Sequence, residues 1–224
     1  MAPAGRRRTV WVVRWLAVIV LGWFGVCLIG LVYVRFFPPL TTALQIQRWL
    51  QNGNAPGSAS GFVPLKALGP HLPHAVVAAE DTRFFEHHGV DWRGLQQAME
   101  DNWRRGRLRR GGSTITQQLV KNLFLSNYGS FARKLYEVPL TIAAELILSK
   151  QRILELYLNV VEFGPGIYGG ADAAERYYGV PPAFLGRDQA ARLAACLPNP
   201  RIRRPQRMSV YAALIRRRMT VMGW

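Results

Sequence analysis

Residues 16–34, LAVIVLGWFGVCLIGLVYV, run for 19 positions without a charge. At about 1.5 Å per residue, a helix over them spans roughly 28 Å, close to the hydrocarbon core of a bilayer. Trp11, Trp15 and Tyr33 stand near its ends, where amphipathic rings settle at the interface. FFPPLTT then stops the helix, since Pro38 and Pro39 cannot continue one. QNGNAPGSASG (51–61) is rich in turn formers and reads as a linker.

From about residue 62 the apolar positions recur at helical spacing, with neither convincing alternation nor an internal repeat. The pattern predicts helices over about 74–88, 92–104, 114–124, 131–160 with a bend at Pro139, 170–178, 187–196 and 207–222. Gly89 closes the first, with His87 and His88 in its last turn. In that register Glu80 shares an apolar face with Val76, Val77, Phe84 and His87. FGPGIYGG (163–170) reads as a tight glycine loop.

Charge sharpens the membrane reading. The 224 residues carry 29 Lys and Arg against 13 Asp and Glu, a net +16, and no acid occurs before Glu80 or after Asp188. Such a chain attracts polyanions. Arg6, Arg7, Arg8 and Arg14 precede the apolar stretch, whereas only Arg35 and Arg48 follow it closely, so the N-terminus is expected in the cytoplasm and the body outside. A cleaved signal peptide is the alternative, but its apolar region would be shorter and a small-x-small cleavage site would follow. A tethered, exported domain favours anionic lipids and lipid-linked phosphates over nucleic acid. Cys27, within the span, and Cys196, far along the chain, imply no disulfide framework. The expected divisions are a basic stub at 1–15, a transmembrane helix at 16–34, a linker and membrane-proximal segment at 35–61, and a functional domain at 62–224.

Three stretches are candidates for chemistry. In AAEDTRFFEHHG (78–89), Glu80 on an apolar face is either a satisfied structural partner or a carboxyl raised in pKa for proton transfer. In RRGGSTITQQLVKN, Ser113 or Thr114 suits an N-cap, and Thr114 with Gln117 fits a capping box. Thr114, Gln118 and Lys121 fall at i, i+4 and i+7, a polar stripe ending in a cation beside a basic glycine loop that favours phosphate. In FARKLYEVPL, Arg133 and Lys134 sit four and three residues before Glu137, which makes either a surface ion pair or a carboxylate held among cations. Glu155 and Asn159 of ILELYLN read as scaffold that braces the loop after them.

Together these segments resemble the glycosyltransferase family 51 domain, the peptidoglycan glycosyltransferase of bacterial walls. EDTRFFEHHG matches its first motif through Glu80, Asp81, Phe84, His87 and Gly89. GGSTITQQLVKN matches the second through Gly112, Ser113, Thr114, Gln117, Gln118, Lys121 and Asn122. RKLYE matches the third through Arg133, Lys134 and Glu137, and ILELYLN and GIYGGADAAERYYG match later ones. The motifs follow the family's order over roughly 62–205. No S-x-x-K or K-T-G, the signatures of a transpeptidase, occurs in the chain, so it resembles members that carry the glycosyltransferase domain alone.

The resemblance implies a mostly α fold, a lysozyme-like helical domain with a small membrane-apposed lobe behind a single N-terminal transmembrane helix. It implies residence in the bacterial inner membrane, with the catalytic domain periplasmic. The implied substrates are lipid II and the growing glycan strand, and the further partners are membrane lipids and cell-division or elongation proteins. Glu80 would be the general base and Glu137 a second catalytic carboxylate, which orients cations or holds a divalent ion (Mg or Mn), although no closed metal site is visible in the sequence. Lys121 and Arg133 would stabilise the departing pyrophosphate, with Thr114 and Gln118 as donors. Asp81, Ser113, Gln117, Asn122 and Lys134 complete the implied substrate-binding set. Phe84 is either packing or a sugar-stacking ring, and His87 either a partner of Asp81 or a helix cap. A lytic enzyme and a non-catalytic membrane scaffold are the rival readings. The first needs no cation stripe, and the second would tolerate loss of Glu80 and Glu137.

Overall fold

The computed structural model describes residues 4–53, 61–105, 112–125 and 131–224. Most of the expected linker and of the basic glycine loop at 104–112 therefore lie outside the described residues. The helices are α1 (Ala4–Phe36), α2 (Ala43–Asn52), α3 (His71–Glu80), α4 (Trp92–Arg105), α5 (Ile115–Phe124), α6 (Phe131–Ile147), α7 (Lys150–Val160), α8 (Gly170–Tyr178), α9 (Arg187–Ala194) and α10 (Ser209–Val221). Two short antiparallel strands, β1 (Glu162–Gly164) and β2 (Ile167–Tyr168), form a hairpin where a plain glycine loop was expected.

Helix α1 outruns the uncharged stretch at both ends. Its segment Val10–Phe36, which contains an 18-residue window of mean hydropathy 2.5, is long and apolar enough to cross a membrane. Its last turns are docked on the domain. Cys27, Leu31 and Val34, at i, i+4 and i+7, are buried in the same core as the helices of the body, with α6 alongside. Gly30 permits a close approach there, because a Cβ would stand 2.7 Å from a ring carbon of Phe124. Arg152 of α7 closes the end: Nε donates to the Val34 carbonyl (2.9 Å) and Nη2 to that of Phe37 (2.8 Å). A cation there satisfies orphan carbonyls and opposes the negative pole of α1.

The sequence reading missed α2, although its signal is present. The Gln45 N–H donates to Thr42 Oγ1 (3.1 Å) and the Thr42 N–H to Gln45 Oε1 (3.0 Å), a complete capping box. Arg48 ties α2 to β1 through Glu162 at 3.1 Å.

In the body, α3 packs against α9 and α10, while α5 lies between α6 and α7. Two expected boundaries move. The stretch 131–160 breaks at Leu148–Ser149, where Ser149 Oγ accepts from the Arg152 N–H (3.2 Å) and starts α7; Pro139 lies inside α6. The first helix stops at Glu80, eight residues short, so the face shared with Phe84 and His87 does not exist. Glu155 and Asn159 brace the segment before them in the chain: the Leu65 and Val63 N–H groups donate to Glu155 Oε1 and Asn159 Oδ1, each at 2.8 Å.

Candidate active site

Asp81 explains why α3 ends where it does. Its backbone leaves the helical region, at φ −158° and ψ 75°, while its N–H still bonds Val77. Its carboxylate turns to α5, accepts from the Ile115 N–H (3.1 Å), and lies 3.0 Å from His87 Nε2. A short acid that captures a helix N-terminus and an imidazole offers the backbone an alternative to another helical turn. His87 is thus a partner of Asp81 rather than a helix cap. Residues 82–89 form turns that send Phe84 into the core, fully buried, so it is packing and presents no ring to a sugar.

The same termination leaves Glu80 at the mouth of α3. Its Oε2 accepts from Gln118 Nε2 at 2.7 Å, and Gln118 Oε1 accepts from the hydroxyl of Tyr157 at 2.9 Å. Tyr157, on α7, is completely buried. Glu80 is therefore fixed by a chain of two hydrogen bonds that starts in the core. Burial pushes its carboxyl above the ordinary 4.5, with the Asp81 charge adding to the rise; the Gln118 bond and the cations Lys121 and Arg203 oppose it. Burial lowers the Lys121 ammonium, chiefly opposed by Glu137.

On α5 the cap forms as expected. The Gln117 N–H donates to Thr114 Oγ1 (3.2 Å), the Thr114 N–H to Gln117 Oε1 (3.0 Å), and the Thr114 hydroxyl to the Gly89 carbonyl. Thr114, Gln117 and Asn122 are all buried, and Thr114 and Gln117 spend their side chains on the start of the helix. Ser113 is exposed, 3.4 Å from the ammonium of Lys134. Lys134 also bonds Glu137, whose second oxygen lies 3.5 Å from Arg133 Nε. At 2% exposure Glu137 is a buried carboxylate facing two cations. Among the described residues no three His, Cys, Asp or Glu side chains gather as metal ligands, and this cation-rich donor set does not fit a divalent ion.

Glu80, Asp81, Asp91, Ser113, Thr114 and Arg218 help to line one cavity of about 350 Å³. The sequence reading missed Tyr157, Arg203 and Arg218. Tyr157 lies 39 residues from Gln118 among core-like neighbours, and the two arginines are members of a basic run that carries no local signal.

The sequence model of the family described as Transglycosylase matches residues 50–223. A biosynthetic peptidoglycan transglycosylase of an Azoarcus species is 56% identical over 140 residues, which cover 62% of this chain and 61% of that protein. Its counterpart in a Janthinobacterium species is 51% identical over 162 residues, covering 70% of each. That of Nitrosospira multiformis is 43% identical over 174 residues, covering 76% of each.

Proposed function

The chain belongs to the transglycosylase family, and on that premise we propose that it is a membrane-anchored peptidoglycan glycosyltransferase that polymerises lipid II. The observation that carries the reading is the hydrogen bond between Glu80 and Gln118, because it ties a carboxyl of raised pKa to the helix that bears Lys121. The family's domain is lysozyme-like and helical, in keeping with the architecture above.

The reaction follows from the two halves of the site. Glu80 takes the proton of the acceptor GlcNAc 4-hydroxyl, and the oxygen attacks C1 of the donor MurNAc. The bond from C1 to the pyrophosphate breaks with inversion, and undecaprenyl pyrophosphate leaves with the electron pair. Lys121, Arg133 and Lys134 meet the charge that develops on it, and a partly buried cation is worth more there than in water. Glu137 holds Arg133 and Lys134 in place. Tyr157 orients Gln118, and Gln118 orients the base. The helix Val10–Phe36 would hold the domain at the outer face of the inner membrane with its N-terminus cytoplasmic, so that the apolar tail of the substrate stays in the bilayer.

The test is purified protein in detergent with labelled lipid II. Chains of increasing length are the expected product. Release of fragments from finished glycan, with no growth from lipid II, would make the chain a hydrolase instead.

A further inference from the structure

The cavity beside Glu80 has one wall from an unexpected source. Helix α10 buries Ala212, Ile215 and Met219 against α3 and α9, which places Arg218 on the cleft side. Arg218 Nη1 donates to the carbonyl of Ala78, two residues before Glu80, at 3.2 Å. That bond fixes one arm of a guanidinium that lines the same cavity as Glu80. A guanidinium has five N–H donors, and among the described residues Ala78 supplies the one hydrogen-bond acceptor it has here.

The other charged groups of this cavity are already engaged. Asp81 holds His87 and the Ile115 N–H, and Asp91 holds Arg83 and the Gly94 N–H. Glu80, held by Gln118 through one oxygen, and Arg218, held by Ala78 through one nitrogen, each keep hydrogen-bonding capacity on this one cavity. A ligand that places a hydroxyl at Glu80 enters a cavity that also holds a cation of α10, tied to the last turn of α3 through the Ala78 carbonyl.

We propose that Arg218 is a specificity-determining residue that receives an oxyanion of the acceptor, a carboxylate or a phosphate, while Glu80 receives its hydroxyl. This rests on the glycosyltransferase reading above. The planar fork suits either oxyanion, and lysine would not replace it. The rest of the basic C-terminal segment contributes alongside: Arg203, held by its Nη1 bond to the Ala195 carbonyl (2.8 Å) and set over the ring of Tyr211, also bears on Glu80.

The experiment compares wild-type protein with Arg218→Gln and Arg218→Lys in steady-state polymerisation, with thermal unfolding of each as the check on folding. Three acceptors are used: the intact lipid-linked disaccharide-peptide, the same with its peptide carboxylates amidated, and a soluble disaccharide-peptide without pyrophosphate. With the intact acceptor, losing a charge-assisted contact should raise KM about ten- to a hundredfold in both variants, with little change in kcat. If variants and wild type converge on the amidated acceptor, the oxyanion is a carboxylate. If they converge on the acceptor without pyrophosphate, it is a phosphate. An equal loss on all three, or a loss in kcat alone, overturns the proposal and leaves Arg218 as a brace between α10 and α3. Should Arg218→Gln unfold, Arg218→Lys carries the same comparison. Absence of polymerisation by the wild type would instead refute the underlying reading before any variant is measured.

Discussion

Replacing Glu80 by Gln separates function from stability, because the two should move in opposite directions. The amide keeps the shape and can still accept from Gln118, but cannot take a proton. A positioned base contributes about 10²–10⁴ in rate, so polymerisation should fall by that factor, or about 2.7–5.5 kcal/mol at 1.36 kcal/mol per decade. Stability follows from the raised carboxyl. Its folded pKa lies above its unfolded value, so between the two the native chain binds more protons. Stability is therefore highest below the unfolded value, near 4.5, and declines as pH rises through the folded one. Above both, the penalty for the buried carboxylate is constant, each pH unit of displacement being worth about 1.4 kcal/mol. Glu80→Gln removes it, so the variant should melt higher at neutral pH, by about 2–4 °C per kcal/mol for a domain of this size. Its advantage should vanish below pH 4.5. The assays are labelled lipid II turnover and thermal unfolding from acid to neutral pH. Near-normal glycan growth by the variant would refute the base assignment. A variant less stable than wild type at neutral pH would refute the electrostatic reasoning even if activity were lost.

Three further outcomes are expected. Lys121→Ala should weaken binding of a lipid pyrophosphate by about ten- to a hundredfold, the range for a charged hydrogen bond, and binding of a neutral glycan far less; isothermal titration with both ligands checks this. Glu137→Gln should cost about 1–3 kcal/mol in denaturant unfolding, because Arg133 and Lys134 lose the carboxylate between them; the partly exposed Lys134 keeps the loss below that of a fully buried pair. Asp81→Ala should cost at least about 2 kcal/mol, since the Ile115 N–H and His87 Nε2 both lose their acceptor; chemical unfolding measures it, and loss of amide protection at the start of α5 locates it.

The parts legible in the sequence were those written in local chemistry. The capping box at Thr114 and Gln117 placed α5 within a residue, and the apolar run announced α1. Local signals failed where a distant partner decided. Apolar spacing continues past Glu80, yet α3 ends because the carboxylate of Asp81 bonds a helix 34 residues away. Periodicity likewise ran through residue 149, where a serine cap rather than Pro139 divided the helices. The capping box at Thr42 and Gln45 is as complete as that of α5, but it follows two prolines that signal an end to helix. Of the candidate site, Glu80, Gln118 and Lys121 are singled out by spacing and resemblance. Tyr157 and Arg218 are not, because a relay from the core and an arginine from the last helix exist only once the chain has closed.

Early termination of α3 also bears on how the proposed displacement is arranged. An inverting attack needs the base and the leaving group on opposite sides of the anomeric carbon. Had α3 run on to His87, Glu80 would have faced along a packed helix instead of ending it. At the helix end it reaches Gln118 of α5, and Lys121 follows three residues later on the same helix. Three residues advance the axis by about 4.5 Å, comparable to the separation between the attacking and leaving oxygens of an in-line displacement. In the proposed reaction, helix α5 would act as a ruler, with its amide marking the proton-accepting end and its ammonium the phosphate end. A longer helix segment between Gln118 and Lys121 would keep both groups and still lose the reaction, which sets this account apart from one in which the two side chains merely line a cleft.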